Sequence, residues 1–294
     1  MQPEGEPDGC GWYFLRRPAQ KQQAVKAAHG AARRVRKNLP CLIYRGTEME
    51  KKTEKNTEKK ERLNKYLAAC GVCSRREADK LIEEGRVTID GETAATGMRV
   101  SGRERIAVNG KVLAGKEEKA VLAYYKPAGV ICTERDRHAE RKISDELKYP
   151  VRLTYAGRLD KESEGLLMMT NDGELIDAMM RGANRHEKEY VVKVDKEVTE
   201  DFLKGMAKGV YLEELGLTTR ECEVRKSGKF TFVIVLTQGV NRQIRRMVEH
   251  FGYRVRALKR VRVMNVNLAN LKPGEYRVLQ GEELRQLYQR AGLH

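Results

Sequence analysis

The chain has 294 residues, long enough for two domains and a sizeable core. Its 58 Lys and Arg outnumber 42 Asp and Glu, giving a formal net charge of +16 and a pI near 9.6, which points to a polyanionic partner. No stretch of eighteen consecutive apolar residues occurs, so the sequence contains no candidate membrane-spanning helix.

From the N-terminus, residues 1–9 are acidic and Gly/Pro-rich, and the apolar patch at 10–15 is too short for a signal-peptide core. Residues 16–37 are basic and Ala-rich, but the acidic opening argues against a mitochondrial presequence. No clear period runs through 1–48, and Met49 is followed by KKTEKNTEKKE, a charge run that stays solvated. Residues 1–60 therefore read as a disordered basic extension. It is either a basic arm or extra sequence ahead of a natural start at Met49, and the second reading is slightly favoured.

Order begins at Glu61. Leu63, Tyr66, Leu67 and Cys70 recur at helical spacing, and Gly71 ends that helix. Ser74 and Glu77 form a capping box for a second helix, with Ala78, Leu81 and Ile82 inward and Gly85 past its end. Arg75 and Arg76 stand where a helix N-terminus and two guanidiniums suit a phosphate, although exposed helix residues would give the same pattern. Cys70 and Cys73 form a lone CxxC with no second pair, and His29, His138, His186, His250 and His294 lack metal spacing. Two semi-buried thiols, no structural metal and a reducing cytoplasm are expected. Strands at 87–89 and 105–108 precede the Asp90-Gly91 and Asn109-Gly110 turns. The small domain then spans 61–110, a polar linker 111–119 and a larger domain 120–294.

The larger domain opens with a strand at 121–125, closed by Lys126-Pro127. Its most informative text is YAGRLDKESEGLLMMTNDG at 155–173, with Asp160 between Arg158 and Lys161, an apolar strand at 166–169 and an Asn171-Asp172-Gly173 turn. A carboxylate at the mouth of a buried strand, flanked by cations, is the anion that a nucleophile or base must be. Pairing it with Glu162 or Glu164 as a two-carboxylate glycosidase finds no other support in the chain. Further strands fall at 190–194, 220–226, 230–236 and 254–263, with a hairpin turn at Ser227-Gly228, and helices at 201–208, 242–251 and after Gly281. This is an α+β pattern with a mixed, mostly antiparallel sheet. Residues 205–209 end a helix and lack the phosphate-loop pattern. Tyr190 shares a strand face with Val192 and Val194, which on pattern alone also suits a core aromatic. Arg242, Arg245 and Arg246 make a helix face densely cationic.

The 155–173 stretch resembles the signature of the RNA pseudouridine synthases of the RsuA/RluB/RluF group. HEKEYVVKVDK at 186–196, GVNRQIRRMVEHFGY at 239–253 and MNVNL at 264–268 follow in the group's order and look most like its RluF subgroup, so the resemblance covers roughly 61–280. RLNKYLAACGVCSRREADKLIEEGRVTIDG at 62–91 resembles the alpha-L RNA-binding module, also found in a small-subunit ribosomal protein.

The resemblance implies conversion of uridine to pseudouridine with no cofactor and no metal. Asp160 would be catalytic, attacking the sugar or removing its 2′ proton. Tyr190 would stack on the target base, Arg245 would salt-bridge Asp160, and Arg158 would fill the space of the flipped nucleotide. Arg75, Arg76, Arg242 and Arg246 would meet RNA phosphates. The implied target is 23S rRNA near the peptidyl-transferase region, in a pre-ribosomal particle, with a tRNA admitted as second substrate. The protein is expected to be a monomer of the bacterial cytoplasm without membrane partners. The competing reading is a non-catalytic RNA-binding protein of ribosome assembly, for which the small domain alone would suffice.

Overall fold

The computed structural model describes residues 60–133 and 140–293, so the extension expected over 1–60 lies almost wholly outside the described residues. The small domain contains β1 (Glu61–Arg62), α1 (Leu63–Ala69), α2 (Arg75–Glu83), β2 (Val87–Ile89), β3 (Glu92–Thr93), β4 (Arg99–Val100), β5 (Ile106–Val108) and β6 (Lys111–Val112). Leu63, Tyr66 and Leu67 of α1 meet Ala78 and Ile82 of α2 over Val87, Ile106 and Val108, forming a core of small apolar side chains. Each such fully buried Leu or Val contributes on the order of 1.5–3 kcal/mol.

Both halves of the capping box are present: the Ser74 hydroxyl accepts the Glu77 N–H at 3.3 Å, and the Glu77 carboxylate accepts the Ser74 N–H at 2.8 Å. Gly71 adopts the left-handed φ of +72° that ends α1. Cys70 and Cys73 are half-buried free thiols beside this core. The small sheet runs β3-β2-β5-β6. Lys111 and Val112 pair with Val108 and Ala107, so the sheet continues past Gly110 into the stretch expected to be linker.

The larger domain contains β7 (Val121–Lys126), α3 (Ile143–Glu146), β8 (Thr154–Ala156), β9 (Glu164–Thr170), α4 (Gly173–Met180) and β10 (Lys188–Val194). It continues with α5 (Glu200–Ala207), β11 (Tyr211–Leu212), β12 (Leu217–Thr218), β13 (Glu223–Gly228), β14 (Thr231–Leu236) and α6 (Gln243–His250). The last elements are β15 (Val255–Val263), β16 (Val266–Asn267), β17 (Tyr276–Val278) and α7 (Gly281–Arg290). Among the described residues these build a nine-stranded sheet of order β13-β14-β10-β15-β9-β7-β17, with β16 on β15 and β8 on β9. Every pairing is antiparallel except β9 with β15, which is parallel and joined only through Lys259–Glu164 and Arg260–Gly165. The sheet thus consists of two antiparallel halves meeting at a narrow seam.

Alternation sorts the side chains. On one face, Val121, Ala123 and Tyr125 of β7 and Leu166 and Met168 of β9 pack under α4 and α7. On the other, Leu122, Tyr124, Leu167 and Met169 pack with Val130, Ile143 and Leu159. In the second half, Val192, Val194, Phe232 and Ile234 pack under α5 and α6. With both faces covered, β7 is buried along its whole length, which explains its apolar run from Val121 to Tyr125, and the burial extends to Lys126 at its end.

The structure corrects several local expectations. Asn171-Asp172-Gly173 starts α4 instead of a simple turn, because the Asp172 carboxylate caps the N–H groups of Glu174 at 3.0 Å and Leu175 at 3.4 Å. The β13–β14 turn falls at Lys229-Phe230, since Gly228 pairs with Thr231 across a bulge. Arg242 is not a member of α6; it precedes the helix with a left-handed φ of +51°.

Candidate active site

The loop entering β9 carries Asp160 directly at the seam. Leu159 is 8% exposed and plugs the apolar cluster around Tyr124 and Leu167, leaving Arg158 exposed and Asp160 half-buried. A tight turn follows, in which the Asp160 carbonyl accepts the Ser163 N–H at 3.1 Å. The Lys161 carbonyl accepts the Gly129 N–H at 2.7 Å, tying the loop to the segment after β7. Beneath it Lys126, wholly buried, donates to the carbonyls of Ser163 at 2.7 Å and Pro127 at 2.9 Å. Burial pushes this ammonium down to about 8, while the Cys132 thiol and the Asp160 and Glu162 carboxylates pull it back up.

The arginines expected on one helix face divide into separate tasks. Arg245 reaches the loop, with Nη2 3.5 Å from the Ser163 hydroxyl, and its Nε is buried without an acceptor. The expected Asp160–Arg245 ion pair is not closed: no ion pair to Asp160 occurs among the described residues, and Arg245 meets Ser163 instead. Arg242 pairs with Glu162 at 3.3 Å on the loop's outer edge. The Glu162 carboxyl is held below its ordinary range first by its own backbone N–H, then by Arg242 and Arg245. Arg246 is ion-paired with Glu214 and donates to the Asn241 carbonyl at 3.2 Å.

Tyr190 is half-buried and packs against two clusters at once, the one under α5 and α6 and the one that holds Leu159. Its ring therefore belongs to the face from which the Asp160 loop rises. Across the ladder from Tyr190 stands Arg260 of β15, 2% exposed. Neither Lys126 nor Arg260 was singled out by sequence reasoning. The signal available for Arg260 was alternation, since Leu258 and Arg260 lie two apart on β15 and both are buried.

Arg75 and Arg76 are exposed in the first turn of α2, at some remove from this loop. They line a cavity of about 630 Å³ together with Lys65, Arg152, Tyr155 and Asn171, and none of residues 158–163 lines it. A Lys65–Glu174 ion pair of 2.8 Å joins the small domain to α4 beside this cavity. Chemically, the site offers an accessible carboxylate on a braced loop, a guanidinium with an unused donor, and an aromatic ring nearby. That set suits attack on, or proton removal from, a ring substrate stacked on the aromatic.

Comparison with known proteins agrees. Residues 120–250 match the RNA pseudouridylate synthase family and residues 61–106 the S4 domain family. The chain is 45% identical over 229 residues to the dual-specificity RNA pseudouridine synthase RluF of Escherichia coli K12, covering 77% of this chain and 78% of that one. It is 37% identical to the ribosomal large subunit pseudouridine synthase B of Bacillus subtilis 168, covering 77% and 95%. A crystal structure of a pseudouridylate synthase superposes with a TM-score of 0.58 at 28% identity, covering 77% of this chain and 99% of that one. By these matches the chain belongs to the RNA pseudouridine synthases, with an S4 domain ahead of the synthase domain.

Proposed function

We propose that the enzyme isomerises a uridine of large-subunit ribosomal RNA, with Asp160 as its catalytic carboxylate. One observation carries the assignment of the residue: Asp160 is half-buried at the seam of the two half-sheets, on a loop fixed by Leu159, Lys126 and the Lys161–Gly129 hydrogen bond. In the reaction the sugar–nitrogen bond breaks, the base turns, and carbon 5 bonds to the sugar while losing its hydrogen as a proton. Asp160 either attacks the sugar carbon or takes its 2′ proton, and both roles call for an anion aimed at the ribose. Tyr190 stacks on the extruded base, since any pyrimidine offers a π-face. Arg158, exposed beside Asp160, occupies the space that the base leaves.

Arg245 is the counter-cation of the loaded site. Its buried Nε lacks an acceptor, and a small rotation of Asp160 when RNA seats would supply one. Arg75 and Arg76 hold phosphates of a neighbouring stem at the cavity of the small domain. Arg242 and Arg246 join them by exchanging exposed carboxylate partners for phosphates. The identity to large-subunit and dual-specificity enzymes supports 23S rRNA as the target, and the reading places the reaction in the bacterial cytoplasm and admits a tRNA as second substrate.

Release of tritium from RNA labelled at carbon 5 of uridine tests the reading. The purified protein should release tritium in step with pseudouridine formed. RNA that is bound but keeps its label would leave the non-catalytic assembly role standing instead.

A further inference from the structure

Arg260 is among the largest fully buried side chains of the molecule, and none of the established chemistry accounts for it. A guanidinium keeps its charge at any working pH, and burying one without a carboxylate is costly. No ion pair of Arg260 is found among the described residues. Instead it spends its donors on backbone: Nε donates to the Leu166 carbonyl at 2.7 Å and Nη2 to the Gly157 carbonyl at 3.1 Å. These two carbonyls are the stems of the loop that carries Asp160, three residues before it and six after.

The location adds to the argument. Arg260 is one of two β15 residues paired across the seam, and its partner there is Gly165. A Cβ on Gly165 would come within 2.3 Å of the Arg260 carbonyl oxygen, so the strands approach too closely for any side chain. Arg260 also stands opposite Tyr190, and directly opposed residues leave a sheet on the same side. One residue thus joins the loop's entry and exit through its side chain, and the strand of Tyr190 through the backbone ladder.

We propose that Arg260 is the positioning residue of the catalytic loop, clamping Gly157 to Leu166 across the seam so that Asp160 is held at its working distance from the Tyr190 side of the cleft. The Arg260 charge is felt locally: burial pushes Lys188 down to about 8, with Arg260 adding to the effect, and Arg260 also lowers Lys126. A hydrophobic side chain would fill the same volume, but it would leave both stem carbonyls buried without a donor. A lysine would keep the charge, but all its donors sit on one nitrogen, whereas Arg260 reaches the two carbonyls from separate nitrogens of a planar fork.

The proposal rests on the synthase reading, and its test separates the two. In Arg260→Lys, single-turnover tritium release at saturating RNA should fall by about 100-fold, the scale of a 1 Å misplacement, while the Kd for RNA stays within about threefold. Independently of activity, amide hydrogen exchange at Ser163 and Gly129 should accelerate by about tenfold or more, with Leu167 and Met168 unchanged. Arg260→Gln, which reaches one carbonyl without charge, is the second variant should the lysine protein not fold. Wild-type turnover with unchanged exchange at Ser163 and Gly129 would overturn the clamp. So would a uniform loss of protection along β9, or failure of both variants to fold, because either assigns Arg260 to sheet stability alone. A wild-type protein that releases no tritium sinks the synthase reading, while the exchange result still decides the clamp.

Discussion

The two arginines of the small domain's α2 stand in water, while the catalytic sheet buries an arginine and a lysine at its seam. Arg75 and Arg76 cap a domain whose core is apolar throughout, so their charge costs little and remains available to a polyanion. Arg260 and Lys126 lie 2% and 0% exposed, and their hydrogen bonds go to backbone carbonyls, those of Gly157, Lys161, Ser163 and Leu166 in or beside the Asp160 loop and that of Pro127 after β7. On the proposed reading, charge placed outside provides affinity, and charge placed inside fixes a loop at the expense of stability. The contrast predicts that affinity and chemistry separate by region.

The largest effect should follow from the loop itself. Asp160→Asn is nearly isosteric, but the amide can neither attack the sugar nor accept its proton. Turnover should fall below detection while RNA affinity stays within about tenfold, roughly 1.4 kcal/mol. An Asp160→Asn protein that still makes pseudouridine would remove the seam from the chemistry. Tyr190 comes next. Tyr190→Ala should lose about 1–3 kcal/mol of base stacking, whereas Tyr190→Phe keeps the ring and its binding. A slow Phe variant with normal affinity would add a proton-transfer role for the hydroxyl, and equal wild-type rates in both would return Tyr190 to the core.

Smaller effects are expected in the small domain. Replacing Arg75 and Arg76 by Ala should weaken binding and flatten its salt dependence, by roughly 0.7–0.9 in the log–log slope per lost phosphate contact. An unchanged slope would place the RNA elsewhere. The least effect concerns pH. Lys126 and Lys188 titrate near 8 in the folded protein against 10.5 in the unfolded chain. Between those values the unfolded chain holds more protons, so both lysines make stability rise with pH. The Cys222 thiol, pushed up by burial from 9.0 to about 11, works the other way above 9. Urea unfolding at about pH 7.5 and pH 9 should therefore show a gain in the wild type that is smaller in Lys126→Met. Equal gains would mean that Lys126 is better solvated than its position implies.

Local signals in the sequence were legible where neighbours in the chain decide the structure. The capping box at Ser74 and Glu77, the helix stop at Gly71 and the buried strand through residues 166–169 all follow from short spacings. The place of Asp160, on a polar loop ahead of a buried strand, was legible because that pattern is itself local. The α4 helix was missed because Asp172 serves equally as turn residue and N-cap, and only the packing of Leu175 and Met179 against the sheet selects the helix. Arg260 was missed for a deeper reason. Residues 254–263 read simply as a strand, yet Arg262 pairs with Glu187 and Glu189 and Arg260 is buried. Its partners, Gly157 and Leu166, are about a hundred residues away in sequence and meet it only through the parallel seam. The Arg242–Arg246 run misled similarly, because a left-handed residue before α6 separates arginines that a continuous helix would align.

The division between binding and chemistry is tested most directly by tritium release at saturating RNA, with the Arg75→Ala/Arg76→Ala protein and the Asp160→Asn protein measured side by side. The account predicts turnover near the wild-type rate in the first, once enough RNA is supplied, and none in the second despite bound RNA. Background release from the arginine variant with its fold intact, or product from the Asp160→Asn protein, would contradict it.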